Sequence, residues 1–263
     1  MVMGVMGIVN FAHGEFVMLG AYVTYWAFTL WGIDPILSLP LSAGVLILVG
    51  ISIYRFGIKP ILSAEAFEQV LLTFGISIIL QNAALILWKA DFRSISTPYL
   101  DMSIAIGPIN IGLARLLTFG IAVMLTLLLV VFNKTKVGKA LRAVSQNRKA
   151  AALMGINVDK AYIIAFSIAA ALGGIAGTLS ALIMYVFPLM GGKLGLKAFA
   201  ILILGGLGNI WGTLIASLIL GISESIVGTY LPQGSGWAEG LSFALILTVL
   251  IFKPTGIAGV RRE

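Results

Sequence analysis

Residues 111–160 read IGLARLLTFGIAVMLTLLLVVF followed by NKTKVGKALRAVSQNRKAAALMGINVDK. The first 22 residues carry one charge, Arg115. A helix of about 20 apolar residues is long enough to cross a bilayer. The next 28 residues are the longest polar stretch of the chain, with Lys134, Lys136, Lys139, Arg142, Arg148, Lys149 and Lys160. An apolar span delivered into a strongly basic loop is the mark of a membrane helix emerging on the cytoplasmic side. The same alternation runs outward in both directions. Spans are predicted at 16–31, 36–54, 70–88, 111–132, 161–187, 213–231 and 240–252. Between them lie a turn at Gly32-Ile33-Asp34-Pro35, a polar segment 55–69, a loop 89–110 with Pro98, Asp101, Gly107 and Pro108, and breaks at Pro188 and Pro232.

Composition agrees with this reading. The chain has 263 residues, of which 60% are hydrophobic and only 10% charged. Soluble domains carry roughly 25% charge. With a mean hydropathy of +1.08, too little charge remains to cover a water-facing surface. The length admits about seven or eight crossings and no sizeable soluble domain. Cysteine is absent and His13 is the single histidine. Disulfides, thiolate metal sites and multi-histidine metal sites are therefore excluded within one chain. The net charge of +7 points to basic loops rather than to nucleic acid. Arg55 and Lys59, the basic residues of 133–160, and Lys253, Arg261 and Arg262 fall on one side by parity. Lys89, Arg93, Arg115, Lys193 and Lys197 fall on or near the other. Parity also requires residues 188–197 and 232–239 to share the outer side. The run 198–208 is too short to cross and return, since its 11 residues, if helical, reach about half the hydrocarbon core. Residues 198–212 are expected to be one half-helix with an irregular tip. Residues 1–9 read as the end of a helix, too short to span.

Few polar residues interrupt the apolar runs. Asn10-Phe11-Ala12-His13-Gly14-Glu15 sets two glycines beside Asn, His and Glu. Asn10 can cap a helix, and Glu15 falls in the first turn of the next span, where the helix dipole favours a carboxylate. Ordinary capping explains such a segment; a broken helix lining a substrate path is the functional alternative. Gly205-Gly206-Leu207-Gly208-Asn209 precedes another apolar helix in the same way, and lacks the βαβ setting of a dinucleotide fingerprint. Gln81 and Asn82 lie mid-span, as does Glu224. A carboxylate at that depth costs about 2.5–3.5 kcal/mol on insertion scales, so it should face protein or water. Gly173-Gly174-x-x-Gly177 offers a small-residue face for close helix packing. In the basic loop, Val137, Leu141 and Val144 share a helical face. Ser145 or Asn147 can cap a second short helix that Gly155 can end. Leu153 and Met154 are then left exposed, either to rest on lipid or to dock into a partner's groove. No nucleophile–base pair appears, so a membrane enzyme is disfavoured.

Four stretches in order carry a resemblance: residues 10–22 (NFAHGEFVMLGAY), 138–144 (GKALRAV) with Met154-Gly155-Ile156, 205–212 (GGLGNIWG), and 252–256 (FKPTG). Together they resemble the permeases of high-affinity branched-chain amino-acid ABC importers, over nearly the whole chain. That family implies an all-α, polytopic single permease domain over 1–263, with about seven full transmembrane helices and a re-entrant half-helix. It usually has one more helix before Asn10, largely absent here. It implies a second related permease subunit, two ABC ATPase subunits holding ATP and Mg, an extracytoplasmic binding protein, and a place in the prokaryotic cytoplasmic membrane. No cofactor is expected in this chain. Residues 133–160 become a cytoplasmic coupling loop, with Ser145, Asn147, Lys149, Ala150, Ala151, Leu153, Met154 and Gly155 at the ATPase contact. Such importers often carry Glu-Ala-Ala and then Gly in that loop. Here Lys149 stands where Glu would support the helix dipole. Asn10, His13, Glu15, Gln81, Asn82, Asn209 and Glu224 are the candidate pathway residues. Urea and short-amide ABC permeases look similar. A proton-coupled secondary transporter using Glu15, His13 or Glu224 is the rival from another class, followed by a passive channel.

Overall fold

The computed structural model describes residues 2–107, 109–231, 234–253 and 255–259. Pro108, Pro232, Pro254, Arg261 and Arg262, all named above, lie outside the described residues. The chain divides into two compact units, 1–194 and 195–263.

In the first unit, α1 (Val2–Met6) stops at Gly7, whose φ of +73° is the left-handed region that glycine tolerates. An irregular stretch, 7–12, leads into α2 (His13–Trp31), which ends on Gly32 at φ +64°. Asp34 then accepts from the Ile36 N–H at 2.8 Å and turns the chain into α3 (Leu39–Ile53). α3 runs on through a π turn and a 3₁₀ turn to Ile61. α4 (Ala66–Trp88) follows, starting earlier than the apolar run because the Gln69 amide ties back to the Ile61 and Ala64 carbonyls. Next come a hairpin of β1 (Ser103–Ile106) and β2 (Ile109–Gly112), then α5 (Leu113–Phe132), α6 (Lys136–Gln146), α7 (Arg148–Leu153) and α8 (Val158–Ala181). The hairpin is antiparallel, with Ser103 opposite Gly112; the sequence reading had this segment as loop.

The core of this unit is α8 packed against α2 and α3. Its glycines make that contact possible. A Cβ on Gly20 would collide with the Gly174 backbone, and one on Gly177 with the backbone of Val17 and Ala21. The expected small-residue face is thus where α8 meets α2. Close approach lets polar groups stitch the helices together. Thr24 and Thr178 share a hydrogen bond of 2.7 Å, and the Ser42 hydroxyl donates to the Gly174 carbonyl at 2.9 Å. Half of α8's apolar window is buried inside the chain, against none of α5's. α5 therefore presents its apolar surface outward, to lipid or to another subunit. Arg93 is held near the start of the 89–112 loop by the Trp88 carbonyl and by the faces of Tyr25 and Trp26. Tyr99 donates to Asp34 at 3.1 Å; burial and then that bond push its phenol up to about 12, so it remains a neutral donor.

The second unit takes up α9 (Met190–Gly205) from Gly195 and holds α10 (Ile210–Tyr230) and α11 (Gly234–Phe252). The last carbonyls of α9 are satisfied by the N–H groups of Ile257 and Ala258, at 2.8 and 3.2 Å. Gly205 lies so close to Gly212 that a Cβ on either would strike the other's backbone. The expected half-helix over 198–212 is corrected here. Helix α9 starts at Met190 and has 16 residues, and the irregular tip is 206–209, with Gly206 and Gly208 at φ +94° and +84°. Residues 190–197 are helical rather than part of an outer connection. At about 1.5 Å per residue α9 is roughly 24 Å long, short of the ~30 Å hydrocarbon core.

Five helical stretches among the described residues are long and apolar enough to cross a membrane: Leu39–Ile61, Ala66–Trp88, Leu113–Phe132, Val158–Ala181 and Ile210–Tyr230. α2 and α11 have 19 residues each. This is an all-α, polytopic membrane architecture.

Candidate functional site

The break before α2 concentrates buried polar groups. The Asn10 side-chain Oδ1 accepts from the Ala12 N–H at 3.0 Å, closing the turn into α2, while its Nδ2 has no hydrogen-bond partner among the described residues. His13 opens the helix with its ring edge-on to Phe16, and its Nδ1 is likewise buried and unpartnered. Glu15, in the first turn, is 1% exposed. Its Oε1 accepts from the Ser77 hydroxyl at 3.0 Å. Its Oε2 has no hydrogen-bond partner among the described residues and lies against Gly191, where any Cβ would strike it.

α4 supplies the facing wall. The Thr73 hydroxyl donates to the Val9 carbonyl at 3.2 Å, pinning α4 to the break. Ser77 and Gln81 are one and two turns further along, and residues four apart share a helix face. Gln81 reaches the next glycine, with its Nε2 3.9 Å from where a Gly192 Cβ would stand. Glu15, Ser77 and Gln81 therefore converge on the first turn of α9. Asn82 is not among them: it is exposed and spends its amide on the Ile78 carbonyl of its own helix, at 2.8 Å.

The remaining candidates lie in the second unit. Asn209 caps α10 by accepting from the Gly212 N–H at 3.0 Å, and its amide donates to the Ala258 carbonyl at 2.9 Å. Glu224 forms an ion pair with Lys197 at 2.9 Å, bridging α10 and α9. The Lys197→Met variant removes the cation that meets this carboxylate. Its level in the membrane fraction should fall, since a carboxylate at that depth that loses its cation is costly to insert. Lys197→Met with Glu224→Gln should recover most of the loss. A double variant no better than the single one, by immunoblot and detergent melting, would show that the pair contributes nothing.

The basic loop folds as two short helices. α6 is capped by Thr135, accepting from the Gly138 N–H at 3.2 Å, and buries Leu141 and Val144, while Val137 is exposed. Of the two capping candidates it is Asn147 that opens α7, accepting from the Ala150 N–H at 3.0 Å. Ser145 instead donates to the Arg142 carbonyl inside α6. Gly155, at φ +82°, ends the turn. Within α7, Ala151 is buried, whereas Lys149, Ala150 and Ala152 are exposed. Leu153 and Met154 are 88% and 83% exposed. Arg148, not singled out in the sequence, donates to the Met6 carbonyl at 2.7 Å and lies over the Tyr162 ring. A cation at the end of α1 is favoured by that helix's dipole. This offsets the poor placement of a basic pair at the start of α7. The Asn147→Ala variant should lose about 1 kcal/mol of cap. Faster amide exchange confined to α7 is the measurement that checks it.

The comparisons with known proteins bear on the whole arrangement. A family model described as the permease component of branched-chain amino acid transport systems matches residues 1–250. The high-affinity branched-chain amino acid transport system permease protein BraD of Pseudomonas aeruginosa is 31% identical, over 98% of this chain and 88% of its own length. The corresponding LivH protein of Escherichia coli is 33% identical over the same shares. An autoinducer 2 import system permease protein of Yersinia enterocolitica is 32% identical over 62% of this chain and 44% of its own length. No solved structure matches. Matched along almost its full length by the model and by these relatives, the chain belongs to the family of branched-chain amino acid transport system permease components.

Proposed function

We propose that this chain is a permease subunit of an ATP-driven importer of branched-chain amino acids, working by alternating access in the cytoplasmic membrane of a prokaryote. The basic segments and the C-terminus face the cytoplasm. The observation that carries the mechanism is α7. One side of this short helix is fixed to the core through Ala151 and Arg148, and the other presents Leu153 and Met154 to solvent. Apolar side chains on a capped, anchored helix are suited to a groove on a partner. An ATPase subunit seated there would push on α7. Arg148 and the Met6 carbonyl lead that push to the 7–12 break. Glu15, Ser77 and Gln81, with Asn10 and His13 behind them, would then line the path that opens and closes. Asn209 and Glu224 hold the helices of the second unit together. ATP and Mg sit in two ATPase subunits, a second related permease completes the membrane part, and an extracytoplasmic binding protein delivers the substrate.

Co-expression with the neighbouring ATPase and permease genes tests this. The wild-type chain should retain an ATPase on affinity purification, and a chain with 145–157 replaced by a Gly/Ser linker should not. Equal recovery of the ATPase with both chains would remove α7 from the contact, and no ATPase with either would count against the importer.

A further inference from the structure

The groups around the first turn of α9 have a polarity that the reading above leaves unused. Glu15 is 1% exposed, none of the ion pairs among the described residues includes it, and one of its oxygens is already fixed by Ser77. The other, Oε2, is buried, has no hydrogen-bond partner among the described residues and packs against Gly191. A buried carboxylate oxygen without a donor is costly, and it accepts strongly from a cation that brings N–H groups. One residue on, Gly192 faces open space with only Gln81 Nε2 near it, at 3.9 Å. The N–H groups of Gly191 and Gly192 fall in the first turn of a 16-residue helix, where no intrahelical acceptor exists and the dipole favours an anion. An acceptor for a cation and donors for an anion therefore stand on consecutive residues. Two glycines bring the backbone within reach of both.

We infer that Glu15 and Gln81, set against the Gly191–Gly192 pair, form a subsite for the zwitterionic head of an amino acid. The substrate ammonium donates to Glu15 Oε2 once the first turn of α9 draws back from it, and the substrate carboxylate accepts from Gln81 Nε2 and the first-turn N–H groups of α9. Ser77 is a positioning residue that turns Oε2 toward the subsite. This rests on the permease reading and adds the place where the transported molecule is recognised.

The test uses the assembled complex in nanodiscs, without the binding protein, and saturation-transfer NMR with three probes: leucine, isocaproate, which lacks the ammonium, and isoamylamine, which lacks the carboxylate. The wild type should bind leucine in preference to either analogue. In Glu15→Gln, leucine should weaken about tenfold, toward isocaproate, which itself stays unchanged. In Gln81→Leu, leucine should weaken toward isoamylamine instead. A purely structural Glu15 would lower all three together. Gly192→Ala fits the space present and keeps the fold; its methyl should weaken leucine, and it carries the test if Glu15→Gln does not assemble. An unchanged ranking of the probes in Glu15→Gln, or unchanged leucine binding in Gly192→Ala, with ATPase activity still stimulated by loaded binding protein, overturns the subsite. If wild-type ATPase activity does not respond to that protein, the permease reading falls and the subsite with it.

Discussion

Replacing Leu153 and Met154 together by Asp abolishes ATP-driven uptake while leaving the chain inserted and folded: that is the result expected from the exposure of these two side chains. Both are more than four-fifths exposed, so neither change removes a core contact, and surface substitutions away from special features cost within about 0.5 kcal/mol. The effect must then come from a partner. An apolar anchor in a desolvated groove is typically worth about 2 kcal/mol or more, and a carboxylate forced into the same groove adds a desolvation penalty. At about 1.4 kcal/mol per tenfold, two such positions should lower ATPase affinity by at least about a hundredfold. Uptake into proteoliposomes and ATPase co-purification read the two consequences separately. Ala151→Asp is the informative contrast, because Ala151 is 4% exposed within the core that holds Phe16 and Phe166. It should lower the folded yield itself. Normal uptake by the Leu153/Met154 double variant would remove α7 from the transmission path.

The sequence made much of this visible, because the deciding signals are local. Asn147, Asn157 and Asn209 each cap the helix that begins right after them, and a cap needs only neighbours three residues away. The apolar runs mark the spans for the same reason. The spacing of Gly173, Gly174 and Gly177 puts them on one helix face without reference to what lies opposite. What stayed hidden depends on partners distant along the chain. Ser77 looks like any mid-span serine until it meets Glu15, 62 residues away. Lys197, one of the basic residues that breaks the charge bias, is explained by Glu224, 27 residues on. The start of α9 reads as a connection in the sequence because Met190-Gly191-Gly192-Lys193 is poor helix sequence. Each glycine costs about 1 kcal/mol there relative to alanine. Gly191 is required by close approach, since it stands against the Glu15 carboxylate, whereas a Cβ on Gly192 would meet only Gln81 Nε2 at 3.9 Å. The hairpin is hard to read because its strands have only four residues each and a Gly-Pro pair in the sequence signals loop.

The strongest effect on assembly is expected at Gly177. Its Cβ position falls on the backbone of Val17 and Ala21 rather than on a movable side chain. Overpacking a core usually costs about 1–3 kcal/mol because side chains yield. Here two main chains meet, so Gly177→Leu must drive α8 away from α2. That separation also strains the Thr24–Thr178 hydrogen bond, 2.7 Å long and fully buried, and the Ser42 bond to the Gly174 carbonyl. In a membrane, lipid is as apolar as the side chains it replaces, so association rests on packing and on such bonds. Losing both together should abolish recovery of monodisperse protein in detergent. Gly75→Leu in α4 is the matched control: nothing lies within 4 Å of its Cβ position, and its yield and melting temperature should match the wild type. Thr178→Val, which keeps the shape and deletes the hydroxyl, separates the two contributions. If close packing dominates, it should leave most of the protein intact and lower the melting temperature by only a few degrees. If the polar stitch dominates, Thr178→Val should approach the Gly177→Leu phenotype. Equal melting of all three variants and the wild type would mean that α8 is not the element around which this unit is built.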